Sequence, residues 1–347
     1  MPRLWALATA AAAVLLWSSC VLAQTSPVAA VAGYQGADRQ QRLLEGAKRE
    51  KELTIYWSIP PGDIAALMAG FDKKYGIKVK AWRSDSESMQ QRVVGEARAR
   101  RFEVDIVAGS ASALEPLYRE NLLEEVKSPY LADISPQAIP PHRQWVAIYF
   151  SLFVQAYNTS LVRKESLPKS YDELVEPQWK GKLGVEADDF DWFAEVVREL
   201  GEERGLRLFR DIVLTNGISV RKGHSVLTHL VAVGEVPLAL SDYNYLAEQA
   251  KQKGAPLDWF TLAPTIARAS GAAMTRNAPH PSAAVLFYDY LMSDAQPILV
   301  RLHYITVSRN LEPTYKGPFK LIDSATMLDQ APKWQELFQK TVIGPSR

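Results

Sequence analysis

Short apolar runs, each closed by a polar turn and followed by a stretch of helical period, recur along the first part of the chain. Leu53 to Trp57 is one such run, and the loop Ser58-Ile59-Pro60-Pro61-Gly62-Asp63 leads it into a helix over Ile64 to Tyr75. Ile77 to Trp82 alternates apolar and polar residues, the period of a half-buried strand. Arg83-Ser84-Asp85-Ser86 then caps a helix over Glu87 to Arg100. Val104 to Ala108 is a further strand, and Gly109-Ser110-Ala111-Ser112 opens the next helix. Strand, loop and helix in this repeated order predict a mostly parallel sheet with helices on both faces. A helix over Asp38 to Glu50 precedes the first strand, and residues 24–37 read as a flexible leader.

Trp145 to Tyr157, WVAIYFSLFVQAY, breaks the pattern: it is long, aromatic and β-prone, without helical period. It reads as strands crossing from one lobe to another, with Pro264 to Ser270 as the return crossing and Gly271 to Arg276 as a strand after it. Between them, Ser170-Tyr171-Asp172-Glu173 matches a capping box, Lys182 to Glu186 reads as a strand, and helices follow over Trp192 to Leu200 and Glu202 to Val213. The stretch Arg221 to Tyr245 carries the most chemistry. A cationic turn, Arg221-Lys222-Gly223-His224-Ser225, opens an apolar helix over Val226 to Val233. After Gly234-Glu235 a strand, Val236 to Leu240, runs into Ser241-Asp242-Tyr243-Asn244-Tyr245, which starts another helix. Loops beyond the carboxyl ends of strands are where α/β sheets bind ligands, so this stretch reads as one wall of a solute-binding cleft. Leu257 to Leu262 is a strand, Ser282 to Met292 an apolar helix, and a tail helix is expected near Trp334 to Lys340.

The chain has 347 residues, 47% of them hydrophobic and 23% charged, with a formal net charge of +1. That suits two domains and shows no basic excess of the kind nucleic-acid binders carry. The amino terminus is a targeting signal by pattern: Met1-Pro2-Arg3 is positive, Leu4 to Trp17 is apolar, and Val21-Leu22-Ala23 offers small residues to a signal peptidase. The apolar run is short against the roughly 20 residues of a membrane span. Residues 1–23 are expected to be cleaved, giving a periplasmic protein. Acylation at Cys20, the only cysteine, is the alternative, although Trp17 fits a lipobox poorly. Cleavage after Ala23 would leave no thiol and no disulfide.

Several fragments together resemble a known family. They are Gln91-Arg92 with Glu96 before Val104-Asp105-Ile106-Val107, the Arg221–Ser225 turn with Gly234-Glu235, Lys253-Gly254-Ala255-Pro256, and Asn277-Ala278-Pro279-His280-Pro281-Ser282-Ala283-Ala284 with Leu291-Met292-Ser293. In this order the chain resembles the periplasmic solute-binding proteins of ABC importers, of the ferric-iron type, from about Asp38 to Asn310. The resemblance implies an α/β, two-lobed, type II periplasmic-binding fold. Each lobe would be a mixed sheet flanked by helices, two crossing strands would join them, and a ligand would be closed in by hinge motion. Lobe 1 would comprise residues 38–148 and 265–347, and lobe 2 residues 149–264. The implied partners are a small-molecule or ferric ligand and an inner-membrane permease, with the protein a monomer and no resident cofactor.

Candidate ligand-binding residues follow from the turns. His224 follows Gly223 at a helix start, where free N–H groups and the helix dipole favour an anion. Arg221 could add a bidentate fork, and Ser225 a hydroxyl. Ser110 and Ser112, Arg83 and Ser84, and Tyr56 and Ser58 occupy the turns after three strands. The alternative for each is a helix cap or a solvated charge. Asp188, Asp189 and Asp191 are metal ligands by type but also suit a helix start electrostatically; Trp192 stacks on ligand or joins the core. His280 reads as a turn residue and His229 as packing. Ferric binders of the family use adjacent tyrosines, since phenolate suits Fe(III). Here Asn244 separates Tyr243 from Tyr245, which would start about 200° apart on a helix, and no histidine lies in the Tyr56-Trp57-Ser58 turn. No metal is therefore favoured; if iron binds, Tyr243 and Tyr245 are its ligands, and otherwise one of the rings lines an organic pocket.

The expected function is capture of a small carboxylate- or phosphate-bearing solute for import. Ferric-iron delivery and a ligand-sensing periplasmic receptor are the alternatives. Catalysis is not expected: the chain has no Gly-x-Ser-x-Gly elbow, no His-Glu-x-x-His and no Gly-x-x-x-x-Gly-Lys.

Overall fold

A computed structural model describes residues 26–344; the signal segment, its cleavage site and Cys20 lie outside them. The main sheet runs, in spatial order, Lys78–Arg83, Glu52–Trp57, Ile106–Ser110, Ile266–Thr275, Val146–Asn158, Leu238–Tyr243, Leu183–Glu186 and Ser219–Arg221. The strands of each outer part pair in parallel, because helical crossovers return the chain to the same sheet edge. Lys78, Lys80 and Arg83 are exposed on the outermost strand of the first lobe, which blunts that edge against pairing with other chains.

The two middle strands join the halves. Val146–Asn158 is buried at every position, which is why it reads as a continuous apolar run. Its first part pairs antiparallel with Ile266–Thr275, as far as Leu152 opposite Ala267. From Phe153 onward it pairs with Leu238–Tyr243 and Leu257–Phe260 instead. One strand thus serves both lobes and changes partners between Leu152 and Phe153. The return crossing is a single strand, Ile266–Thr275, where the sequence suggested a crossing and then a separate strand. Ser270-Gly271, where the sequence suggested the division, marks a register shift in the pairing with Val146–Asn158, and the strand runs on through it.

Each lobe has its own aromatic core. Phe71 packs edge-on against Phe287 and Tyr290 in the first, and Phe209 against Trp192 and Phe193 in the second. Residues 26–37 are not a loose leader: Ser26 caps a helix, Pro27–Ala32, that buries Val28 and Ala32. The tail helix is Ser324–Phe338, longer than expected because it continues through Pro332. It bridges the lobes. Arg119 of the first lobe pairs with Asp329 and donates to the Ala325 carbonyl at 3.2 Å, while Trp334 and Phe338 pack on Phe193 of the second. His280 holds a turn through Asp105, with backbone N and Nδ1 at 2.6 and 2.9 Å. His229 is exposed on its helix, not packed as expected. Among the described residues, no helix is long and apolar enough to cross a membrane.

Candidate functional site

A cleft of about 880 Å³ lies between the lobes. From the first lobe it receives the turns at Ser58, Arg83–Ser86 and Ser110–Ala113, and from the second those at Glu186–Asp191, Lys222–Val226 and Tyr243–Leu246. All follow carboxyl ends of parallel strands, as sheet topology requires of a ligand crevice.

Among the described residues, four helices lay their first turns on this cleft without a side-chain cap: Ala111–Arg119, Phe190–Leu200, His224–Val233 and Asn244–Gln252. Their first-turn residues line it. An uncapped first turn leaves N–H groups without intrahelical acceptors and concentrates the positive end of the dipole. Ser110 and Ser112 do not cap their helix; their hydroxyls lie 2.8 Å apart and both line the cleft.

At its floor, the crossing strand delivers Arg268, a buried cation. Its Nε donates to Asp191 at 2.8 Å and its Nη2 to Asp189 at 3.1 Å. Its Nη1 donates to the Tyr243 hydroxyl. Asp189 also accepts from His224 Nε2 at 3.1 Å. Burial works against both charges of this pair, yet each partner outweighs it. Asp189, with Glu186, holds His224 above the ordinary imidazole range; His224 and Arg268 hold Asp189 below the ordinary carboxylate range. Glu186 accepts from the N–H groups of Gly223 at 2.8 Å and Asp188 at 2.6 Å. Burial, then the charge of Asp189, pushes its carboxyl up to about 7. Burial does the same to Asp242 behind it, also up to about 7.

Oxygen atoms of Glu186 and Asp189 and a ring nitrogen of His224 lie within 4.8 Å of one another and could hold a cation. A metal there would have to displace the proton of His224 and compete with Arg268 for Asp189.

Above the floor stands an aromatic column. The rings of Tyr243 and Tyr245 stack with centroids 5.6 Å apart and planes 20° from parallel, and Tyr245 stacks on Tyr304 at 4.1 Å. The angular separation expected for two helical residues does not apply. Tyr243 is the last residue of a strand and Tyr245 lies in the first helical turn, so the change of period brings both rings to one side. Neither ring is exposed. Asn244 between them points elsewhere, accepting from Leu152 N at 2.9 Å and donating to the His303 carbonyl at 3.2 Å.

Of the sequence candidates, Ser58, Arg83, Ser84, Ser110 and Ser112 line the first-lobe wall, and His224, Ser225, Tyr243 and Tyr245 the second. Four lie elsewhere. Tyr56 donates to Glu96 at 2.7 Å and is covered by Arg92. Trp192 is 1% exposed, in the second-lobe core. Arg221 is exposed and turns back to the Val220 carbonyl; its neighbour Lys222 enters the cleft instead. Asp189, fully buried, orients His224 and Arg268 from beneath. Sequence reasoning passed over Arg268, Glu186 and Lys222. Arg268 had one signal: it is the sole charge in the apolar run Ile266–Thr275.

Comparison with known proteins places this geometry. The family of bacterial extracellular solute-binding proteins matches residues 66–308. An Fe(3+)-binding periplasmic protein of Serratia marcescens is 26% identical over 55% of this chain, a match spanning 57% of that relative's length. Iron uptake protein A1 of Synechocystis sp. is 24% identical over 83% of this chain and 80% of its own. Among solved structures, the periplasmic binding protein AfuA of Actinobacillus pleuropneumoniae, with exogenous fructose-6-phosphate bound, superposes with a TM-score of 0.74. It covers 84% of this chain and 98% of AfuA at 19% identity. That likeness establishes a shared two-lobed fold.

Proposed function

The chain belongs to the bacterial extracellular solute-binding proteins, and we propose that its cargo is a small anion bearing a carboxylate or phosphate. It serves as the solute-binding component of an ABC importer, presenting the loaded cleft to a membrane permease. The single observation that carries the anionic reading is the convergence of four uncapped helix starts on one cleft. Each offers N–H donors and partial positive charge, and an anion satisfies both together. The hydroxyls of Ser110 and Ser112 add donors on the facing wall. AfuA, with its bound sugar phosphate, uses the same fold.

Ferric iron is the second reading, favoured by the side-by-side rings of Tyr243 and Tyr245 and by the iron-binding relatives. Two features weigh against a bare ferric ion. Phenolates must form to bind it, and burial holds both hydroxyls well above the ordinary phenol range. The Arg268 guanidinium also donates to the Tyr243 hydroxyl, where it repels a second cation.

Ligands that bind only the folded state raise its melting temperature. Phosphate, citrate and fructose 6-phosphate are each expected to raise Tm in a dose-dependent way, while Fe(III) alone does not. A Tm raised by Fe(III) alone, with a phenolate–iron colour lost in Tyr243→Phe and no response to the anions, would replace the anionic reading with the ferric one.

A further inference from the structure

The carboxyl-terminal helix Ser324–Phe338 forms a side wall of the cleft, apolar along Met327, Leu328 and Ala331 with Ser324 and Gln335 to either side. Met327, Leu328, Ala331 and Phe338 line it at helical spacing, and Ile343 extends it. Across the cleft, Val226 stands at the start of the helix His224–Val233. Val226 is 49% and Ile343 36% exposed, large apolar side chains left uncovered inside a binding cleft. The wall is fixed in place. Trp334 and Phe338 anchor it to Phe193, with ring centroids 6.3 and 5.3 Å away, and Arg119 ties its other end to the first lobe through Asp329. A cleft of about 880 Å³ is also far larger than a bare phosphate needs; sites of some 300–1,000 Å³ suit organic molecules of drug size.

Resting on the anionic reading above, we infer that the natural solute is amphiphilic: an organic anion whose charged head sits at the uncapped helix starts and whose apolar body lies against Leu328, Ala331 and Val226. Head and body meet chemically matched surfaces at once. The helix Ala111–Arg119 begins at the anionic end and carries, in its last turn, the Arg119 that holds the apolar wall. Burying an aryl group there removes apolar area from water on both partners.

Matched pairs of small anions test this: methyl against phenyl phosphate, and acetate against phenylacetate, titrated calorimetrically into the mature protein. In at least one pair the phenyl member is expected to bind about tenfold tighter or better, as burial of an aromatic ring implies. Leu328→Asn and, separately, Ala331→Asn are expected to erase most of that advantage and leave methyl phosphate or acetate binding unchanged. Circular dichroism confirms that each variant is folded. Equal affinity within both pairs overturns the inference while the anionic reading stands. A phenyl preference that survives both substitutions overturns the assignment to this wall. If no member of either pair binds, the anionic reading falls and this inference with it.

Discussion

The His224 ring lies flat on the Tyr243 ring, centroids 3.8 Å apart and planes 11° from parallel, while its Nε2 reaches Asp189. Stacking and hydrogen bond together leave the imidazole one orientation, and Tyr243 is held in turn by Arg268. The floor of the cleft is therefore a single connected unit of opposite charges.

Stability should fall as pH rises from about 5 to 8, by proton linkage. Glu186 and Asp242 keep protons up to about 7 in the folded chain, whereas the unfolded chain releases them at ordinary carboxyl values. The folded state thus binds more protons in this window, and raising pH costs stability. His224, raised above its ordinary value, adds stability that is complete below that value and lost as pH climbs through its folded one. Asp189, held low, acts oppositely: its contribution is present above the ordinary carboxyl value and disappears in acid. Melting curves across pH should show this decline, and Glu186→Gln should flatten it; a flat wild-type profile would contradict the account.

Arg268→Met should destabilise by about 3–5 kcal/mol, the cost of stranding buried charge. It leaves Asp191 in the floor without its cation and Asp189 with His224 alone. Urea denaturation measures the loss, and adding Asp191→Asn should recover part of it. A loss under 1 kcal/mol would mean that water already compensates these carboxylates.

Gly109→Ala should weaken binding of phosphate or citrate more than it weakens the fold. A Cβ at Gly109 would meet Met89 Cε at 2.5 Å, Ser86 Oγ at 3.0 Å and Ser58 Oγ at 3.4 Å. The methionine end can move aside, but the serines belong to two turns of the cleft wall. Calorimetry beside a melting curve separates the effects; unchanged affinity with lowered Tm would refute this.

Phe193→Ala should cost about 3–5 kcal/mol, as large-to-small core changes do, and should loosen the carboxyl-terminal helix selectively. Phe193 is where Trp334 and Phe338 both rest. Amide exchange is expected to accelerate over 324–343 well before the rest of the second lobe. Uniform acceleration would show that the helix is held elsewhere.

Much of the fold was legible because its cause is periodic. Parallel strands joined by helices leave a repeating mark, and the turns that follow them, from Ser110 to His224, could be found by counting. What escaped depends on a single residue of register or on distant partners. Tyr56 and Ser58 lie two residues apart, so strand alternation alone assigns them to one face; what separates them is the end of the strand at Trp57 and the arrival of Glu96 and Arg92 on the Tyr56 ring. Tyr243 and Tyr245 looked divergent only while both were assumed helical. Arg268 was hidden because an arginine within an apolar strand shows its meaning only once Asp189 and Asp191 arrive from the other lobe. Pro332 disguised the last helix, since proline normally interrupts one.

Val146–Asn158 changes partners at the link between Leu152 and Phe153. A rotation confined to that link would leave the ladders on either side intact. The pivot and the lips are then made of different residues. Substitutions in the lips would therefore leave the pivot untouched.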